Sequence, residues 1–149
     1  MSEVGSWQPP GRAGTAGGGF TPGQSANPTS TVELSISCRD LADMDVFSKS
    51  DPFCVLYVKD TKTNQWLCFD KTETIDNTLN PDFQKKFVLQ YKFEERQQMR
   101  FDVYDSDDNS SNLENHDFIG SMVCTLGEVV SHQGKGLTRP LQGWLSLLV

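Results

Sequence analysis

Alternation of apolar and polar residues dominates the sequence after residue 30. In the first such segment, "TVELSISC", one side carries only apolar residues: Val32, Leu34, Ile36 and Cys38. This period of two is typical of a strand with one buried face. Six similar segments follow, each bounded by turn residues: "PFCVLYVKD", "QWLCFDKTET", "FQKKFVLQYKF", "QMRFDVYD", "DFIGSMVCTL" and "KGLTRPL". The sequence therefore predicts an all-β fold, an antiparallel Greek-key sandwich of seven strands, with one short helix near residues 126–133.

The chain divides into three parts by composition. Residues 1–30 are rich in Gly, Pro, Ser and Thr and carry few large apolar groups, so we predict a disordered leader. Residues 31–141 are long enough for one sandwich with a single core. Residues 142–149, "QGWLSLLV", are predicted as an atypical apolar tail that either covers an edge of the sandwich or remains an exposed apolar end.

Charge and cysteine content restrict the class of protein. The formal net charge is -7, which argues against a nucleic-acid partner because no basic field offsets phosphate repulsion. The cysteines are widely spaced and form neither a CxxC pair nor a Cys/His group, so we predict buried free thiols of an intracellular protein: Cys38, Cys54, Cys68 and Cys124. No apolar run reaches the length of a spanning helix, so any membrane contact is expected to be peripheral.

Two predicted loops carry clustered carboxylates. The loop before the second strand, called loop one, contains Asp45 and Asp51, with Asp43 nearby. The loop before the sixth strand, called loop three, contains Asp105, Asp107, Asp108 and Asp117. Both loops can lie at the same end of a sandwich, where the carboxylates would repel one another unless a cation lay between them. Aspartates without Cys or His favour Ca²⁺ over Zn²⁺. The alternative is that these aspartates only cap their own turns.

An EF-hand does not fit the second acidic loop. If the loop begins at Asp105, its sixth position is Ser110 where glycine is needed, and its twelfth is His116 where a bidentate glutamate is needed. No flanking helices are predicted either.

Several segments together resemble a known family. "SDPFCVLYV", "TLNPDFQKKF" and "VYDSD" followed by "HDFIG" resemble the C2 domain, a Ca²⁺-dependent phospholipid-binding β-sandwich. The longer stretches "KSDPFCVLYV", "TETIDNTLNPDF", "FEERQQMRFDVYDSD" and "HDFIGSMVCTLGEVVS" are similar to the first C2 domain of a copine. The resemblance covers about residues 31–141. Because a C2 sandwich has eight strands, the chain resembles a truncated or alternatively ended form.

The resemblance implies a site and a function. Carried over position by position, it implies Ca²⁺ ligation by Asp45, Asp51, Asp105, Asp107 and Asp117, with Ser110 or a neighbouring carbonyl as a further ligand. It implies a non-enzymatic module that binds anionic phospholipid when Ca²⁺ is present, with a role in membrane trafficking or signalling. The implied location is the cytoplasm, with recruitment to the plasma membrane or other cytosolic membrane faces as Ca²⁺ rises, and the nucleus as a second location.

Apolar residues within the acidic loops are candidates for membrane contact. Val46 and Phe47 lie between the two loop-one aspartates, where a turn is normally polar. Burying a Phe side chain contributes roughly 1.5–3 kcal/mol, so shallow insertion of this tip is expected to add to head-group binding. Leu113 is a second, weaker candidate. The alternative is that Phe47 folds back onto the sandwich.

Two other functions compete with this interpretation. A protein–protein interaction module would retain the sandwich and act without Ca²⁺. A metal-dependent hydrolase would use the aspartates, but the sequence offers no nucleophile and general base arranged as a triad, so we expect no enzyme. His116 and His132 have no Cys or His partners in sequence and are predicted to be surface residues.

Overall fold

The alternating segments become strands in the computed structural model, which describes residues 29–43, 49–107 and 112–149. The strands are β1 (Thr29–Arg39), β2 (Pro52–Lys59), β3 (Trp66–Lys71), β4 (Phe87–Lys92), β5 (Gln98–Asp105), β6 (Asp117–Thr125), β7 (Leu137–Leu141) and β8 (Gly143–Leu148). A 3-10 turn, η1 (Leu113–Asn115), precedes β6, and a short helix, α1 (Leu126–Ser131), follows it.

The eight strands form two antiparallel sheets of four. One sheet has the order β4-β1-β8-β7 and the other β3-β2-β5-β6. Strands that are neighbours in the sheet are therefore often distant in sequence, as in β1 with β8 and β2 with β5. The predicted antiparallel β-sandwich is confirmed.

The core lies between the inner faces of the two sheets. From β1 it receives the apolar side chains that the alternation predicted: Val32, Leu34, Ile36 and Cys38. Phe87 and Phe101 meet across the core with ring centroids 6.4 Å apart, and neither is accessible to solvent. Phe83 also enters the core. The period-two pattern thus marks the buried face correctly.

The predicted number of strands was one too few. The segment interpreted as an atypical tail supplies β8, which pairs with β1 on one side and β7 on the other. Leu145 and Leu147 on β8 are fully buried. Gly143 begins this strand with φ of 107°, and a Cβ at that position would collide with the carbonyl oxygens of Arg39 and Asp40. Only glycine combines this backbone conformation with so close an approach.

The short helix was predicted correctly. Thr125 caps α1 by accepting a hydrogen bond from the Glu128 N–H at 3.1 Å, which satisfies a free donor of the first turn.

Cys38, Cys54 and Cys124 are buried, and burial raises the pKa of the Cys38 and Cys124 thiols to about 12. The predicted burial was wrong for Cys68, which is exposed, because β3 is an edge strand in which no residue is buried.

Candidate metal centre

Three aspartates meet at the end of the sandwich where β5 ends and β6 begins. Asp105 is the last residue of β5 and pairs with Asp117, the first residue of β6. Asp107 follows two residues later. One carboxylate oxygen from each of the three lies within 4.8 Å of the others. We call Asp105, Asp107 and Asp117 the acidic cluster.

The spacing of these oxygens fits a single hard cation. Ca²⁺ binds oxygen ligands at 2.3–2.6 Å, so two ligands on opposite sides of one ion are at most about 5 Å apart. The separation of up to 4.8 Å in the acidic cluster lies within that limit. Carboxylate donors alone also suit Ca²⁺ or Mg²⁺ better than Zn²⁺. The residues present therefore fit the ion that the acidic loops predict.

The three members of the acidic cluster differ in burial. Asp105 is completely buried, Asp117 is half-buried and Asp107 is exposed. The Asp105 carboxylate also accepts a hydrogen bond at Oδ1 from the Asp51 N–H at 2.8 Å. Asp105 is thus the innermost member of the cluster and is hydrogen-bonded to the residue that precedes β2, whereas Asp107 faces solvent.

Asp51 joins loop one to loop three. Its backbone carbonyl accepts a hydrogen bond from the Ser106 N–H at 2.9 Å, and its N–H donates to Asp105 as described above. Its carboxylate Oδ1 accepts from the Asn77 N–H at 2.6 Å. Asp51 lies beside the acidic cluster, which has three members among residues 29–43, 49–107 and 112–149.

Asn77 holds the end of loop one in place. Its backbone N–H donates to Asp51, and its side-chain Oδ1 accepts from the Lys49 N–H at 3.0 Å. The next residue, Thr78, donates from its N–H to the Ser50 carbonyl at 2.9 Å. Asn77 adopts a left-handed φ of 57°, which asparagine tolerates better than most residues. Sequence reasoning missed this role, although the dipeptide "DN" before "TLNP" is a turn signal.

Replacing Asn77 is expected to separate its two contributions. Asn77→Gly loses the bond to Lys49 but accepts the positive φ, whereas Asn77→Ala loses the same bond and is also strained. Because a left-handed conformation costs an L-residue roughly 1–2 kcal/mol, the alanine variant should have a free energy of unfolding about 1 kcal/mol below the glycine variant. Urea unfolding measures the difference. Equal stability of the two variants would contradict the assigned backbone.

His116 was predicted to be a surface residue, and the structure shows that it is buried, with 9% of its surface exposed. Its Nδ1 accepts a hydrogen bond from the Asp107 N–H at 3.1 Å. Its ring packs edge-on against Phe53, with centroids 5.2 Å apart. The prediction was wrong because burial here depends on packing against β2, which the local sequence does not reveal.

A cleft of about 570 Å³ opens beside the acidic cluster. Among the described residues, four carboxylates line it, from Asp51, Glu73, Asp76 and Asp107, against one lysine, Lys71. Burial alone would raise the pKa of Glu73, but backbone N–H donors from residues 84, 73 and 85 and the positive charge of Lys85 together more than offset this effect and hold the pKa below its usual range. The cleft is therefore strongly negative and repels anions in the absence of a cation.

Four of the remaining predicted site residues lie outside the described residues: Asp45, Val46, Phe47 and Ser110. Leu113 begins η1 and is half-buried. Membrane contact by these residues and ion ligation by Asp45 and Ser110 therefore stay predictions.

Comparison with known proteins gives consistent matches. The family model described as "C2 domain" matches residues 31–142. Nicotinic receptor-associated protein 1 of Caenorhabditis elegans is 41% identical over 125 residues, which cover 72% of this chain and 20% of that protein. Its counterpart in Caenorhabditis briggsae is 40% identical over the same length. The chain thus spans about a fifth of these curated relatives.

Solved structures of similar fold cover most of the chain. A C2 domain of plant Extended Synaptotagmin 1 superposes with a TM-score of 0.57 at 21% identity, covering 79% of this chain and 92% of that one. The structure titled BON1-C2B gives a TM-score of 0.56 at 25% identity, with 81% and 88% covered. In the described part of the chain, no helix has the length and apolar character needed to cross a bilayer.

Proposed function

Since this chain belongs to the C2 domain family, we propose that it attaches to anionic phospholipid surfaces when Ca²⁺ is held by the acidic cluster. The observation that carries this proposal is the convergence of three carboxylate oxygens within 4.8 Å at one end of the sandwich. Asp105, Asp107 and Asp117 are the proposed ligands that the structure describes. Asp51, also predicted as a ligand, lies beside this cluster, and we propose it as a further ligand, with Asp45 and Ser110, from the resemblance alone.

The charge of the site explains how binding an ion would lead to attachment. Unliganded, the carboxylates of the acidic cluster and cleft repel the phosphates of an anionic membrane. A bound Ca²⁺ supplies positive charge that attracts lipid phosphate. The hydrogen bonds through Asp51 already hold the residue before β2 against the end of β5, so the described part of the site is in place before an ion binds.

The finer assignments are also proposals. The motifs "TETIDNTLNPDF" and "FEERQQMRFDVYDSD" support membership of the copine family, with a role in membrane trafficking or signalling at cytosolic membrane faces. We propose a non-enzymatic module, since the acidic cluster serves ion binding and no nucleophile and base triad was recognised in the sequence.

Vesicle sedimentation tests the proposed attachment. The chain is mixed with vesicles of phosphatidylcholine, with or without phosphatidylserine, in millimolar Ca²⁺ or in excess EGTA. One Ca²⁺ adds two positive charges, each worth about 1 kcal/mol near an anionic surface. The partition coefficient on phosphatidylserine vesicles is therefore expected to rise roughly 30-fold with Ca²⁺.

Two controls accompany this measurement. Vesicles of phosphatidylcholine alone should show little Ca²⁺ effect, because they carry no net negative charge. Mg²⁺ at the same concentration separates a specific site from charge screening, since Mg²⁺ dehydrates reluctantly and demands a stricter geometry. Equal sedimentation in Ca²⁺ and EGTA would refute the proposed Ca²⁺ dependence.

A second candidate function is a Ca²⁺-independent protein interaction module. It is favoured by the name of the nematode relatives, which describes them as associated with a nicotinic receptor. On this proposal the sandwich serves as a docking domain and the aspartates stabilise their loops. Retention of a membrane receptor fragment by the chain in EGTA, without binding to protein-free vesicles, would favour this function over the first.

A further inference from the structure

A buried imidazole lies next to the acidic cluster. His116 precedes Asp117 in sequence and accepts the backbone N–H of Asp107 at 3.1 Å. It also ends η1, because its own N–H donates to the Leu113 carbonyl at 3.1 Å. His116 therefore links the two ends of the loop-three segment that separates Asp107 from Asp117.

The sheet alone does not fix Asp107. The last ladder pair between β5 and β6 joins Asp105 to Asp117, so Asp107 lies beyond the regular strand pairing. Its side chain is exposed to solvent. The hydrogen bond from the Asp107 N–H to His116 anchors the backbone at this position.

His116 is itself firmly supported. Its ring stands edge-on to Phe53 at an interplanar angle of 81°. Phe53 has only 4% of its surface exposed and stacks on Tyr104 at 5.5 Å between centroids. The imidazole thus packs against Phe53 of β2, which is itself stacked on Tyr104 of β5, and these are the two central strands of their sheet.

We propose that His116 is a positioning residue that fixes Asp107 relative to Asp105 and Asp117 for Ca²⁺ binding. This inference rests on the proposed function of the acidic cluster. Residues that orient metal ligands by hydrogen bonds typically change metal affinity 10–100-fold when mutated. His116 acts through the backbone of a proposed ligand and is not assigned as a ligand itself.

The hydrogen bond also fixes the tautomer of the ring. Because the Asp107 N–H is the donor, Nδ1 must offer its lone pair, and the proton of the neutral ring lies on Nε2. A long-range ¹H–¹⁵N correlation spectrum of the imidazoles reads this tautomer directly and without Ca²⁺. A ring found with its proton on Nδ1 would overturn the assignment.

The decisive experiment compares two variants of the full chain by Ca²⁺ calorimetry. His116→Asn retains an acceptor oxygen near the position of Nδ1, whereas His116→Leu retains apolar volume without an acceptor. We expect the leucine variant to bind Ca²⁺ roughly tenfold more weakly than the parent, with the asparagine variant within about threefold of it. His132→Leu, which removes an exposed imidazole at the end of α1, is the matched control and should leave affinity unchanged.

The outcomes separate this inference from the proposed function. Equal Ca²⁺ affinity of His116→Leu and the parent, or equal weakening in His116→Asn and His116→Leu, would overturn the positioning role alone. A parent protein without measurable Ca²⁺ binding would overturn the proposed function and the positioning role together. If His116→Leu does not fold, His116→Gln replaces it, because its amide oxygen mimics Nε2 and not Nδ1.

Discussion

A chain that stops after Gln142 is expected to show no cooperative unfolding transition. Such a chain lacks β8, which forms five residue pairs with β1 and five with β7. It also loses Leu145 and Leu147, both fully buried. Truncating one buried leucine to alanine costs about 2–5 kcal/mol, and a domain has only about 5–15 kcal/mol of stability in total. Differential scanning calorimetry of both chains measures the loss.

Two neighbouring leucines provide a matched control for this prediction. Leu147 is fully buried, whereas 47% of Leu148 is exposed. Leu147→Ala should lower the free energy of unfolding by about 2–5 kcal/mol, and Leu148→Ala by about 0.5 kcal/mol or less. A truncated chain with the transition of the parent would show that β8 is dispensable, contrary to its central position in the sheet.

Saturating Ca²⁺ is expected to raise the melting temperature of the parent, but not of Asp107→Asn. A ligand at a hundred times its dissociation constant stabilises the native state by about 2.7 kcal/mol, which corresponds to roughly 10 °C for a domain of this size. Asp107 is the exposed member of the acidic cluster, so its substitution should hardly change stability without Ca²⁺. Thermal unfolding by circular dichroism with and without millimolar Ca²⁺ measures the shift.

Asp76 offers a stringent control for the Ca²⁺ effect. It is exposed and lines the same cleft, but it is not a member of the acidic cluster. Asp76→Asn removes the same charge from the same surface and should retain the full shift. If both variants lost the shift equally, general electrostatics would explain the stabilisation better than a defined ion site.

Strands with a clear alternation of apolar and polar residues were predicted from the sequence. The strand with apolar residues on both faces, β8, was missed. β1 and β5 alternate clearly, and their bounds were found to within two residues. In β8 the exposed face carries Trp144 and Leu148 while the buried face carries Leu145 and Leu147, so apolar residues occupy both faces. A single residue also separates β7 from β8. The exposure of Cys68 followed from the order of strands in the sheet, which local periodicity does not contain.

The candidate site shows a similar division. The clustering of carboxylates in this loop was visible in the sequence, the resemblance implied Asp105, Asp107 and Asp117 as the ligands, and the structure brings one oxygen of each together. The positions of Asn77 and His116 depend on contacts with Asp51 and Phe53, respectively. Those partners are far away in sequence, so neither role was visible from a local motif. Supporting residues are therefore harder to predict than proposed ligands, because their roles depend on contacts between residues that are distant in sequence.

The position of β8 between β1 and β7 also has a consequence for synthesis. Ser35 on β1 pairs with Leu148 on β8, so most of the chain must be translated between the two partners. At about 5–20 residues per second, β1 waits on the order of 5–20 s for β8. During that time one edge of β1 has no strand to pair with, which makes the nascent chain vulnerable to misassociation. The rate of translation, and not the strength of the core, then sets how long this edge stays unpaired.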